Sequence, residues 1–289
     1  MATTGNISLT AGMRKNLMDL QSTASLMDKT STRLSTGKKV NTALDDPVNY
    51  FAALSHENRA SDLAFRKDAM NESVQMIKAA DNGIRGIMTL IESAKATANS
   101  ALATDSVAAT QERSDLSAQF NRLMDQIDFL ADDSGYNGTN LINSSSLTLD
   151  VKFDEDGTSK VTLTAFSAKA GGGVGTGLGI SDAVAANWTN TTQTTMTGNI
   201  ESAVNQLNTA ITTLRTQSKN LANQLSTINA RQEFTKNMIN TLHEGAGNLT
   251  LADMNEEGAN MLMLQTRQSL GTTALSMASQ AAQAVMRLF

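Results

Sequence analysis

The stretch that decides the fold is the last one, Glu257–Phe289, EGANMLMLQTRQSLGTTALSMASQAAQAVMRLF. Met261, Leu264, Gln268, Gly271, Leu275, Ala278, Ala282, Val285 and Phe289 follow alternating steps of three and four. Such steps draw one line along a helix. A second line runs through Leu270, Ala274, Met277, Ala281, Ala284 and Leu288, and no charged residue stands between Arg267 and Arg287. A surface helix in water carries a charged face; this one is small or uncharged all round, as if made to be enclosed by other helices. A membrane span is the rival reading. Gln268, Gln280, Gln283 and the many hydroxyls argue against it.

The opposite end answers this segment. Met13, Leu17, Leu20, Ala24, Met27, Ser31 and Leu34 repeat the same steps, a seam suited to another long helix. The termini are therefore expected to pair. Two arrangements satisfy this: a helical bundle with its termini together, or a subunit whose terminal helices are completed only by neighbouring copies.

Outward from the ends, the first helix is expected over Thr10–Thr36, stopped at Gly37. A polar bend holding the only proline, Pro47, follows. A second helix is expected over Tyr50–Leu102 with its seam at Leu63, Met70, Val74, Ile77, Ile84, Met88, Ile91, Ala98 and Leu102. Asp81 and Lys95 fall on this seam, where polar residues either fix register or fray the helix. Gly83 and Gly86 each weaken it by about 1 kcal/mol relative to Ala and permit either a close neighbour or a slight bend. A third helix, Ser106–Leu130, aligns Leu116, Phe120, Leu123, Ile127 and Leu130. Beyond Gly198, Ile200, Val204, Leu207, Ile211, Leu214, Ser218, Leu221, Leu225 and Ile228 resume the rhythm, which extends through Leu242 and is expected to break at Gly245 and Gly247.

Between Tyr136 and Gly198 the texture changes. Leu147, Leu149, Val151 and Phe153 alternate with polar residues, as do Val161, Leu163 and Ala165; the bridge between them contains Asp156-Gly157. This is a β-hairpin signature. The segment ending near Thr197, with Trp188 alone in it, reads as exposed and adaptable. The fold class is thus mainly α: a long antiparallel helical bundle or coiled coil, with a small β-hairpin region at the far end. The expected domains are an inner terminal coiled coil, 1–44 plus 250–289, and a middle helical domain, 45–249, including the hairpin and glycine-rich region at 136–198.

Composition narrows function. Net charge is -5, and no basic block marks a nucleic-acid groove. With no cysteine there is no disulfide, thiol nucleophile or thiolate metal site. Two isolated histidines, His56 and His243, make a zinc site a poor reading. Asp132, Asp133 and Gly135 lack the full calcium-loop pattern. Gly171–Gly179 lacks the Gly-Lys-Ser/Thr ending of a phosphate loop. No catalytic triad, carboxylate pair or cofactor motif emerges, so an enzyme is not expected. The start, MATTGNISLT, lacks a cleavable signal pattern, which favours a cytosolic protein or export by a route reading no such signal. Scarce aromatics (4%) and fifteen methionines suit adaptable helical seams.

The end segments are also specific. Arg33, Leu34, Ser35, Thr36, Gly37, Lys38, Lys39, Val40 and Asn41, followed by Asp45 and Asp46, resemble the N-terminal segment of bacterial flagellins. So do Asn71–Ala80 with Asp81, Asn82, Gly83 and Ile84, and the loop Gly135, Tyr136, Asn137, Gly138. Gln265, Leu270, Gly271, Ala274, Ala278, Gln280, Ala281, Gln283, Val285 and Leu288 resemble the family's last helix. The resemblance covers 1–143 and 200–289. It implies a structural subunit of the flagellar filament, with many copies of itself as partners. It further implies export unfolded through the flagellar type III apparatus, a chaperone at the C-terminal segment, and junction and cap proteins at the filament's ends. A flagellar hook-filament junction protein shares the end pattern; a cytosolic helical binding module is the reading of another class. The filament-assembly seam is expected at Met13, Leu17, Leu20, Met27, Leu34, Met261, Leu264, Leu275, Val285 and Phe289. Many flagellins also carry an arginine-containing patch read by a vertebrate innate receptor. Here Leu90 and Glu92 stand at the matching places, and weak receptor activation is the expectation.

Overall fold

A computed structural model describes residues 11–104, 109–171, 177–190 and 192–286, the side chains of Ala282, Val285 and Met286 excepted. The elements are α1 (Ala11–Thr36), α2 (Pro47–Ala103), α3 (Thr110–Asp133), β1 (Thr148–Lys152), β2 (Lys160–Thr164), α4 (Ala185–Trp188), α5 (Gln193–Thr250) and α6 (Met254–Met286). The chain divides into two compact units, one made of residues 1–60 and 240–289, the other of 61–239.

Local signals explain the element ends. α1 stops because Gly37 takes φ +68 while its N–H still reaches the Arg33 carbonyl at 2.8 Å, the left-handed exit that glycine adopts without strain. α2 opens on Pro47, whose missing N–H costs nothing at a first helical position. The Asp46 carboxylate accepts the Asn49 N–H at 3.1 Å and caps that end.

The unit spanning 61–239 holds the larger core. The expected line on α2 is buried at Leu63, Met70, Val74, Ile77, Ile84, Ile91 and Ala98. From Met70 onward it joins Phe120, Met124 and Ile127 of α3 and Ile200, Leu207, Leu214, Leu221 and Ile228 of α5. The close neighbour expected at Gly86 is Leu130 of α3, whose Cδ2 lies 2.8 Å from where a Cβ would stand. Asp81 and Lys95 pin register rather than fray the helix. Asp81 accepts Ser218 Oγ at 2.8 Å, Lys95 Nζ donates to Asn208 Oδ1 at 2.7 Å, and Gln232 donates to Asn71 at 2.9 Å. The hairpin pairs antiparallel, with Val151 opposite Val161 and Leu149 opposite Leu163. At its turn Asp154 accepts Thr158 Oγ1 at 2.7 Å and Ser159 N at 2.9 Å.

Two expectations are corrected here. α5 does not break at Gly245 and Gly247; it continues to Thr250. Its last turns are held by buried Leu242, Ala246 and Thr250, packing that outweighs about 1 kcal/mol per glycine. Nor is the segment before Thr197 simply exposed. Trp188 is buried at 2% exposure, its ring 5.3 Å from that of Phe120. Three side chains of α3 hold this irregular segment by its backbone: Arg113 Nε donates to the Trp188 carbonyl at 3.0 Å, Asn121 both donates to and accepts from Ala183 at 2.9 and 2.7 Å, and Asp128 accepts from Ala170 N at 2.7 Å. Residues 1–10, the centre of the glycine run at 172–176, and Ser106 lie outside the described residues.

Candidate assembly surface

The terminal unit is built on the α1–α6 pair. At its base the backbone closes a short clasp: Lys39 and Val40 N–H donate to the Thr250 carbonyl at 2.7 and 3.2 Å, and Ala252 N–H donates to the Gly37 carbonyl at 3.0 Å. Beside it Arg33 Nη1 meets Glu257 Oε1 at 2.8 Å, with the glutamate side chain only 7% exposed. Asp253 caps α6, its Oδ1 accepting Asn255 N at 2.8 Å. The negative charge also suits the positive end of the helix dipole.

The clasp's turn contains Asp45, whose Oδ2 accepts from Asn41 N, Thr42 N and Thr42 Oγ1 at 3.1–3.2 Å. The Thr42 and Asn41 amides, with the Thr42 hydroxyl and Lys29 behind them, hold its carboxyl below the usual aspartate range.

Further along the pair, contact thins. Of the predicted seam, Met13 and Leu264 are buried, and Leu20, Met27, Leu34, Met261 and Leu275 are half-buried. Leu17 is 40% exposed. Val285 falls on α6, but its side chain lies outside the described residues, as does Phe289 entirely. Gly271 lets the helices meet: a Cβ there would stand 2.7 Å from Leu20 Cδ2. Beside this contact Asn16, Asp19, Leu20, Leu26, Arg267, Leu270 and Ala274 line an open cleft of about 540 Å³.

Of the second apolar line of α6, Ala274 is half-buried beside the cleft, but the large side chains among the described residues are open to solvent. Leu270 is 67% exposed and Met277 60%, and Leu262 and Met263 are bare beside them. On α1, Met18 and Leu26 are exposed as well. Among the described residues no cluster of His, Cys, Asp or Glu is arranged to hold a metal ion, and no helix is long and apolar enough to cross a membrane. What this surface offers is apolar area, not reactive groups.

The receptor-patch positions lie on α2. Leu90 is half-buried against the core, Glu92 is exposed, and Ile91 between them is fully buried. Sequence reading missed the Arg33–Glu257 pair, although Arg33 stands inside the quoted N-terminal motif. An ion pair this distant in sequence leaves no local pattern. It also missed the Arg113, Asn121 and Asp128 hooks, whose spacing of eight and seven along α3 is a helical stripe of polar residues.

Comparison with known proteins gives matches over both ends of the chain. Residues 7–146 match the bacterial flagellin N-terminal helical region and residues 197–289 the bacterial flagellin C-terminal helical region. The chain is similar to flagellin FljO of Caulobacter vibrioides, 29% identical over 289 residues and 98% of each chain. It is also similar to a flagellin of Brucella melitensis, 27% identical over 282 residues, covering 94% of this chain and 95% of that one. A solved structure of a flagellar hook-associated protein from Vibrio parahaemolyticus shares the fold, with TM-score 0.61 at 11% identity, over 72% of this chain and all of that one.

Proposed function

The chain belongs to the bacterial flagellin family, and on that premise we propose how it assembles. It is a structural subunit that polymerises into the flagellar filament. The α1–α6 pair is the part completed by neighbouring copies. The observation that carries this reading is the bare outer line of α6: Leu270 and Met277, with Leu262 and Met263, expose apolar side chains to water on a helix without a charged face over its second half. Covering them with other copies removes apolar area from water at roughly 25 cal/mol per Å². It also stabilises the terminal helices by mass action.

Of the predicted seam, Met13 and Leu264 act inside this pair, fixing α1 against α6, while the exposed line faces the next copies. The remaining partners follow the family pattern: a chaperone on the C-terminal segment before export, junction and cap proteins at the filament's ends, and a final place outside the cell. A junction protein is the alternative within the same assembly. The fold shared with the hook-associated protein, at 11% identity, does not favour it over the flagellins matched along nearly the whole chain. The absence of a catalytic role is part of the same proposal, since the family is a structural one.

Deleting Leu270–Phe289 tests the assembly reading. The truncated chain is expected to keep its 61–239 core, read by Trp188 fluorescence, and to form no filaments by electron microscopy. Filaments at normal yield would overturn it. Receptor silence is tested separately by a signalling assay on purified monomer. Leucine cannot donate hydrogen bonds and glutamate carries the wrong sign, so neither replaces an arginine fork. Strong activation by the wild-type chain rejects this part.

A further inference from the structure

The fifteen methionines hold all the sulfur of this chain, since it has no cysteine. Their placement differs between the two units. In the 61–239 unit Met70, Met124 and Met196 are buried, and Met76, Met88 and Met238 are half-buried. Every methionine exposed among the described residues belongs to the terminal unit: Met18 of α1 and Met254, Met263 and Met277 of α6. Two of these flank the bare Leu270. Met263, Leu270 and Met277 are spaced by seven, and their exposures are 53%, 67% and 60%. Seven residues are close to two helical turns, so the three side chains share one stripe of α6. Met254 stands nine positions before Met263, about half a turn round the helix from it.

Solvent access decides which thioethers react. Peroxides oxidise methionine to its sulfoxide. A sulfur lone pair attacks one oxygen of hydrogen peroxide; the S–O bond forms as the O–O bond breaks, sulfur gives up two electrons, and the other oxygen leaves as water. No thiol is present in the chain to consume the oxidant first. The product keeps the length of the side chain but replaces a soft apolar sulfur with a strong hydrogen-bond acceptor. Water solvates that acceptor on a free subunit. Under a neighbouring apolar surface it finds no donor, and burying it there is costly.

We propose that Met263 and Met277 form an oxidation site that controls entry of the subunit into a polymer. Peroxide converts them to sulfoxides in the free chain and lowers its capacity to add to a filament. Once neighbouring copies cover them, the same sulfurs are shielded. The proposal rests on the filament reading above. It adds a covalent modification of the bare α6 stripe, one that sulfoxide reductases reverse.

The test treats purified monomer with dilute hydrogen peroxide, quenches it, and adds it to wild-type seeds. Peptide mass spectrometry is expected to find sulfoxide at Met263 and Met277 and intact thioether at Met70, Met124 and Met196. Helical circular dichroism and the Trp188 fluorescence melt are expected to stay unchanged. The critical concentration for growth is expected to rise roughly tenfold. Filaments that do form are expected to be depleted of both sulfoxides relative to the subunits left in solution. M263L/M277L, which keeps the apolar volume, is expected to grow equally before and after peroxide. Oxidised wild-type chain that grows at the untreated concentration overturns the proposal, as do filaments as rich in both sulfoxides as the unincorporated chain. A peroxide-induced loss of growth as large in M263L/M277L as in wild type overturns it equally. If untreated M263L/M277L does not grow, the partition of sulfoxides in the wild-type chain decides alone. Untreated wild-type subunits that fail to grow on seeds overturn the filament reading itself, and this proposal with it.

Discussion

Arg33 and Glu257 stand 224 positions apart, yet they form the one described ion pair of the terminal unit with a carboxylate almost out of solvent. Arg33 Nε and Glu257 Oε2 are buried without hydrogen-bond partners. The pair is therefore a weak source of net stability but a costly thing to break, because removing one member strands the other's charge. Arg33→Met or Glu257→Met alone is expected to destabilise the unit by about 3 kcal/mol, seen as a lower temperature for heat-induced filament disassembly. Arg33→Met with Glu257→Met is expected to recover most of the loss. A double variant as unstable as the sum of the singles would show that no coupling exists.

Asp45 and Asp150 are exposed and Asp154 is half-buried, and each is held below the ordinary carboxylate range. For Asp150 the Lys160 ammonium is the first cause and the Thr162 hydroxyl the second; for Asp154 the Thr158 hydroxyl leads. A depressed carboxyl favours the folded state above the unfolded value near 3.9, and that favour is lost as pH falls through the folded value. Carboxyl NMR titration of the folded chain is expected to place all three midpoints below about 3.9. Any of them at or above it contradicts the hydrogen-bonded geometry.

At the scale of elements, Gly271 fixes how closely α1 and α6 approach, since a Cβ would collide with Leu20. Gly271→Val is expected to push the pair apart at a cost of about 1–3 kcal/mol. Leu20→Ala in the same chain is expected to relieve part of it. The readout is again filament disassembly temperature, and no rescue by Leu20→Ala would place the strain elsewhere. Elements of this kind were legible where the pattern is periodic. The α2 line from Leu63 to Ala98 and the alternation of Leu149–Phe153 each announce one buried face, because burial on a regular element must repeat with its period. Legibility failed where burial is arranged by other elements. Trp188 sits in a segment without periodicity, and it is buried because Arg113, Asn121 and Asp128 of α3 hold the backbone around it. Gly245 and Gly247 carry a breaker signal that packing of Leu242 and Ala246 overrides. The assembly surface is half-legible for the same reason. The apolar lines of α6 show in the sequence, but how much of each α1 covers does not.

At the scale of the whole molecule, the main apolar cluster among the described residues runs from Met70 to Ile228, with no described member from the terminal unit. The hydrophobic term that holds residues 61–239 together is therefore independent of the α1–α6 pair. Such a unit exceeds the size below which isolated cores become marginal. A fragment of residues 61–239 is expected to unfold cooperatively, with a Trp188 fluorescence midpoint within a few degrees of that of the same transition in the full chain. It is expected to add to no filament, because it lacks the bare α6 line. A fragment that melts without cooperativity would mean that the terminal unit is needed for the core. A folded fragment that grows on wild-type seeds would shift assembly away from the terminal helices and onto the surface of the 61–239 unit.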